Sequence, residues 1–253
     1  MSDAQIARRA LLCLDLTDLT ETCSEHGIDE LCAKAMNPLG PVAAVCVWPQ
    51  FVSRAREAIK GSAVKIATVV NFPAGGEDVD RVIEDVHEAL GDGADEIDLV
   101  LPFRALIRGN VDTAGDMVVG VRDVVDQGRL LKVILETGEL ADATRIAGAS
   151  RIAIEAGADF IKTSTGKSPV SATPQAAEIM LNAIRESGRP VGLKVSGGIR
   201  TLADAALYLG LADRIMGAGW ATPQTFRFGA SSVYDALVAG IEGRAGARSA
   251  GVY

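Results

Sequence analysis

Eight short apolar runs, separated for most of the chain by stretches of helical periodicity, constrain this chain more than any other feature. They fall at residues 11–16, 42–48, 65–71, 96–101, 130–135, 159–163, 191–195 and 214–216. Between the runs apolar residues recur at i, i+3 and i+4. In the 78–90 segment Val79, Val82, Ile83, Val86 and Leu90 share one helix face. Segments 144–156 and 174–187 read the same way, the latter with Thr173 as N-cap and Pro174 in the first turn. Gly-Ala-Asp at 93–95 recurs at 157–159, each time where a helix ends and a strand begins. Strands alternating with helices call for parallel pairing through right-handed crossovers. An open doubly wound sheet usually carries G-x-G-x-x-G after its first strand, and none is present. A chain of 253 residues suits the roughly 250 of a (β/α)8 barrel. The expected fold is therefore α/β, a single-domain TIM barrel over residues 1–253, with 1–10 as an N-terminal cap helix. The small, polar 245–253 segment is expected to be a mobile tail.

Composition narrows the partners. A net charge of −8 argues against nucleic acid and anionic membranes. No run of 18 apolar residues occurs, and residues 1–9 lack a secretory apolar core. Cys13, Cys23, Cys32 and Cys46 show no C-x-x-C spacing, which points to neither a zinc site nor a disulfide framework. A reduced, cytoplasmic location is expected. His26, in a polar turn, and His87, on an exterior helix, are the only histidines. Both read as surface residues, so no metal and no cofactor is expected.

In a barrel of this kind the active site lies at the C-terminal ends of the strands, so polar residues caught inside apolar runs are informative. Asp15, Asp98, Lys132, Lys162 and Lys194 interrupt five runs, and Cys46 lies in a sixth. A single buried charge of this sort is usually a salt-bridged core residue. Three lysines and two aspartates converging on one mouth suggest chemistry. A buried lysine beside a second cation loses its proton more readily, and the free amine can attack a carbonyl. An aspartate and the remaining ammonium can relay protons. On these grounds alone the nucleophile is any of Lys132, Lys162 or Lys194.

Three glycine-containing loops follow the late runs: Thr165-Gly166-Lys167, Ser196-Gly197-Gly198-Ile199-Arg200, and Phe228-Gly229-Ala230-Ser231-Ser232. Glycine lets backbone N–H groups approach an anion, and Ser231-Ser232 opens the final helix, a natural anion site. Ser164-Thr165-Gly166-Lys167-Ser168 imitates the end of a nucleotide-binding P-loop. The glycine that motif requires five residues before Gly166 is Ile161, so that reading fails.

FIKTSTGK (160–167), VGLKVSGGIR (191–200), DEIDLVLP (95–102), LDLTDL (14–19), AAVCVWP (43–49), LLKVILETGEL (130–140) and FRFGASS (226–232) resemble the deoxyribose-phosphate aldolase family. The matches span essentially the whole chain. The resemblance implies a class I aldolase that cleaves 2-deoxy-D-ribose 5-phosphate to D-glyceraldehyde 3-phosphate and acetaldehyde. It further implies that Lys162 forms the Schiff base, that Lys194 perturbs it, and that Asp98 moves protons. Asp15, Thr17, Cys46 and Lys132 would line the pocket. Gly166, Lys167, Gly197, Gly198, Arg200, Ser231 and Ser232 would hold the phosphate, beside Thr165 and Gly229 of the same loops. Tyr253 would assist proton transfer from the tail. Val195 departs from the smaller residues usual after that lysine, but alternation should turn it away from the Lys194 side. A different Schiff-base aldolase and a catalytically silent sugar-phosphate barrel are the competing readings. Neither phosphate binding nor a barrel core needs this many strand lysines. Expected partners are a sugar phosphate, aldehydes and further copies of the chain, as a homodimer or larger homo-oligomer.

Overall fold

A computed structural model describes residues 1–126 and 128–244; Tyr253 and the rest of the 245–253 tail lie outside the described residues. Eight parallel strands close into a barrel in sequence order. They are β1 (Leu14–Asp18), β2 (Ala44–Val47), β3 (Lys65–Val70), β4 (Glu96–Val100), β5 (Leu130–Ile134), β6 (Phe160–Lys162), β7 (Gly192–Ser196) and β8 (Phe226–Ala230). β1 pairs with β8 to complete the ring, Asp15 opposite Gly229. The expected single (β/α)8 barrel is the fold observed.

Seven of the eight runs are strands, and the last is not. Residues 214–216 complete the helix Leu202–Met216, and the eighth strand lies ten residues further on. The Leu202–Met216 helix is rich in Ala and Leu and opened by a Thr201–Asp204 capping box, so helix-forming side chains and a satisfied N-terminus carry it through to Met216. His26 likewise sits in the helix Glu25–Ala35 rather than in a turn, exposed and 3.3 Å from Glu30.

Elsewhere local chemistry and structure agree. The helix Val79–Gly91 is capped by Asp78, and Pro174–Ser187 by Thr173 with Pro174 at its start. The helix Asp3–Leu12 packs on the helices Leu202–Met216 and Tyr234–Ile241, tied by a two-pronged Arg9–Asp213 ion pair at 2.5 and 2.6 Å. Buried apolar residues between strands and helices form one continuous layer. That outer layer, and not the barrel interior, is the hydrophobic core. Val195 belongs to it, facing away from Lys194 as alternation requires.

Candidate active site

Every second residue of a barrel strand points at the axis. On β2 and β3 these are Ala44, Cys46, Ala67 and Val69, which with Leu19 form a small apolar cluster of their own. On β4 to β8 and β1 they include seven ionisable side chains, Glu96, Asp98, Lys132, Lys162, Lys194, Arg227 and Asp15, none more than 4% exposed. Gly229 makes room for this set: a Cβ there would lie 3.0 Å from Lys194 Cε and 2.7 Å from Ser196 Oγ.

Asp98 is the hub. Its Oδ1 accepts from Lys132 Nζ at 2.9 Å, and its Oδ2 from both Lys162 Nζ and Lys194 Nζ at 2.8 Å. Lys162 and Lys194 nitrogens are therefore at most twice 2.8 Å, or 5.6 Å, apart. Asp15 takes Lys194 at 2.5 Å, Arg227 at 2.6 Å and Lys132 at 3.4 Å. Glu96 takes Lys132 at 2.5 Å and both terminal nitrogens of Arg227 at 2.9 and 3.1 Å. Four bases thus face three carboxylates. Lys162 alone among the four pairs with a single carboxylate, Asp98, among the described residues.

That imbalance has an electrostatic consequence. An unpaired charge inside a protein is costly, and the group sheds it by moving its pKa. Arginine cannot deprotonate in a protein, so any relief of the surplus falls to a lysine. Burial pushes the Lys162 ammonium below its ordinary value, and Lys194 adds to the push against the pull of Asp98. Burial acts on Lys132 and Lys194 too, but their carboxylates outweigh it and hold both ammoniums above the ordinary range. Burial would raise Asp15 and Asp98, yet their basic neighbours hold both below the usual carboxylate range. Cys46 is raised by burial and stays a thiol.

Above this floor the loops after β1, β6, β7 and β8 enclose a cleft of about 250 Å³. Thr17, Thr165, Gly166, Lys167, Gly197, Gly198, Arg200, Gly229, Ser231 and Ser232 all line it. Gly197 and Gly198 have φ of +86° and +83°, and a Cβ on Gly197 would meet Ser171 at 2.5 Å. The N–H groups of Gly166, Gly197, Gly198 and Ser232 are free of the protein's own hydrogen bonds among the described residues. Free N–H groups on a rigid turn form an anion-binding concavity. Lys167 spans the mouth, its Nζ donating to Leu19 O at 2.8 Å. A larger cavity of about 390 Å³ opens at the opposite end of the barrel, beneath Glu96 and Arg227. It reaches neither Lys162 nor the loops.

Two members of the floor escaped the sequence reading. Arg227 interrupts β8 just as the lysines interrupt their strands, but Phe228–Ser232 reads as a loop and residues 214–216 as the eighth strand. Glu96 was legible by the same signal, at the start of β4. A fourth buried carboxylate, Glu136, lies outside that floor, just past β5, with a left-handed backbone at φ 56°. Nothing in its sequence context announces that. Among the described residues no group of three or more His, Cys, Asp or Glu is arranged to hold a metal ion, and no helix is long and apolar enough to cross a membrane.

A closed parallel (β/α)8 barrel with lysines paired to carboxylates in its interior, beneath a glycine-lined cleft, defines a class: TIM-barrel proteins with a charged site at the C-terminal strand ends. The chain belongs to the DeoC/LacD family of aldolases, whose family model matches residues 9–230. A deoxyribose-phosphate aldolase from Agrobacterium fabrum is 51% identical over 250 residues, covering 98% of this chain and 96% of that protein. Among solved structures, a candidate deoxyribose-phosphate aldolase from Toxoplasma gondii superposes with a TM-score of 0.87 at 28% identity, covering 95% and 98% of the two chains. The tetrameric deoxyribose phosphate aldolase of Aeropyrum pernix matches at 0.75 and 25% identity over 94% and 92%.

Proposed function

We propose that this aldolase reversibly cleaves 2-deoxy-D-ribose 5-phosphate to D-glyceraldehyde 3-phosphate and acetaldehyde through a Schiff base on Lys162. The observation that carries the assignment is the charge count: four bases, three carboxylates, and Lys162 the base with one partner. A neutral Lys162 leaves the floor balanced, and a neutral amine is the nucleophile the reaction needs.

The same count suggests how protons move. Lys162 Nζ adds to the C1 aldehyde, and the resulting hydroxyl leaves as water with a proton from the Lys194 ammonium. An iminium cation now stands at Lys162 and a neutral amine at Lys194, so the net charge is unchanged. Lys194 then takes the proton of the C3 hydroxyl as the C2–C3 bond breaks, and its electron pair flows to the iminium nitrogen. Glyceraldehyde 3-phosphate leaves, the enamine is protonated at C2, and water releases acetaldehyde. Asp98 Oδ2, hydrogen-bonded to both lysines at 2.8 Å, is the path between them. At no stage does the buried site gain an uncompensated charge. Lys132 and Asp15 hold the cluster in place, and Cys46 shapes the pocket wall.

The C5 phosphate fits the cleft of Gly166, Lys167, Gly197, Gly198, Arg200, Ser231 and Ser232, with Thr17, Thr165 and Gly229 completing its lining. We further infer a role in deoxyribose and deoxyribonucleotide breakdown in the cytoplasm, as a homo-oligomer. A role for Tyr253 stays part of this proposal on tail position alone.

Acetaldehyde with borohydride tests the chemistry. The expected product is a reduced, ethylated Lys162, located by peptide mass spectrometry. Labelling of Lys132 or Lys194 instead would move the nucleophile, and no label on any lysine would sink the reading.

A further inference from the structure

The buried carboxylate of Glu136 takes no part in the steps above, yet the fold holds it at some cost. Its backbone is left-handed, at φ 56° and ψ 61°, a conformation that is strained for a non-glycine residue. Its side chain is 1% exposed, and Oε1 has no partner among the described residues. Burial accordingly raises its pKa, despite the bonds it accepts.

Those bonds all run to one residue of the cleft rim. Glu136 Oε2 accepts the Thr165 hydroxyl at 2.5 Å and the Thr165 N–H at 3.3 Å. The Thr165 oxygen in turn accepts the Lys167 N–H at 3.0 Å. Two of the loop's three amides are thereby turned inward, and the Gly166 N–H between them is left for the cleft. The turn that carries Glu136 is wedged against the same loop region: a Cβ on Gly138 would lie 2.0 Å from Val170 O.

We propose that Glu136 is a positioning residue for the Thr165-Gly166-Lys167 loop, acting through the Thr165 hydroxyl to set the grip on the substrate's phosphate and leaving the imine chemistry alone. The inference rests on the phosphate assignment made above. It makes reach, not charge, the property that matters. A carboxylate one methylene shorter cannot hold Thr165, whereas a glutamine of the same length can still accept from it.

The test compares Glu136→Asp with Glu136→Gln, which keep charge and reach respectively. Aspartate is also at ease in a left-handed backbone, so neither variant needs to refold the turn. Inorganic phosphate binding is measured by calorimetry, and KM and kcat with deoxyribose 5-phosphate and with unphosphorylated deoxyribose. For Glu136→Asp we expect phosphate affinity and KM for the phosphorylated sugar to weaken about tenfold, as for loss of one hydrogen bond to a charged group. Glu136→Gln should stay near the parent, and kcat/KM for deoxyribose should hold in both. Equal losses in the two variants, an unchanged Glu136→Asp, or a parallel fall with the unphosphorylated sugar would each overturn the proposal. Borohydride trapping of the parent protein with acetaldehyde separates the two readings: failure there removes the aldolase mechanism, while phosphate binding still judges Glu136. If the parent binds no phosphate, the cleft assignment and this inference fall together.

Discussion

Lys162 and Lys167 stand five residues apart, on either side of one strand end, and belong to regions that handle charge in different ways. On the floor, four bases and three carboxylates pair with one another, and among the described residues their side-chain hydrogen bonds, apart from that to Pro223 O, stay within the set. At the rim, Lys167 gives its ammonium to a carbonyl, and the anion-seeking groups are backbone N–H groups held open by glycine. A floor built this way can pass a proton from one lysine to another without changing its net charge. A rim built this way offers backbone N–H groups to an anion. Covalent chemistry suits the first and recognition the second.

Lys162→Leu breaks the comparison most severely. Turnover should fall by on the order of 10⁴-fold or more, as when a covalent nucleophile is removed, while the fold persists. Because the remaining three bases match three carboxylates, the midpoint of urea unfolding should hold or rise. A fall of the kind expected for a broken ion pair would show that Lys162 is charged in the resting enzyme.

Lys132→Met is the counterpart on the same floor. It strips a cation from Asp98, Glu96 and Asp15 at once, and leaving buried carboxylates short of a partner should cost about 3–5 kcal/mol. Denaturant unfolding measures this. A cost below about 1 kcal/mol, the level of a surface pair, would contradict the network.

At the rim, Ser232→Asp should leave stability within about 0.5 kcal/mol, as surface changes usually do. It should raise KM for deoxyribose 5-phosphate about tenfold by repulsion of the phosphate. Unchanged KM would remove Ser232 from the phosphate end.

The smallest effect is the pH dependence of stability, and its sign follows from the floor. Asp15 and Asp98 are depressed, so their contribution is present above the ordinary aspartate value of about 3.9 and is lost as pH falls through their folded values. Lys132 and Lys194 are raised, so theirs is present below about 10.4 and is lost as pH rises through their folded values. Lys162 runs the other way: its depressed pKa costs stability below about 10.4, and Lys162→Leu removes that cost. Urea midpoints across pH should therefore form a plateau for the parent and shift least toward the alkaline end for Lys162→Leu.

Much of this was legible before any coordinates. Short apolar runs alternating with stretches of period 3.6 set out the barrel, since a strand buried on both faces and a half-buried helix leave different marks on a sequence. Asp15, Asp98, Lys132, Lys162 and Lys194 were visible because a charge inside an apolar run is expensive wherever the run folds. The eighth strand was not, because Phe226–Ala230 contains an arginine and a glycine among only five residues, whereas residues 214–216 look apolar and are the end of a helix. Arg227 was lost with it.

What the sequence determined by itself, then, was the inventory: a parallel barrel, strand lysines and aspartates, and glycine loops beyond three strand ends. Tertiary structure decided the partners. Only closure of β8 onto β1 brings Arg227 to Asp15 and Glu96, and only that contact makes four bases meet three carboxylates. Which lysine is short of a carboxylate is a property of the assembled ring, because electrostatic energy depends on distances between strands that no local pattern records.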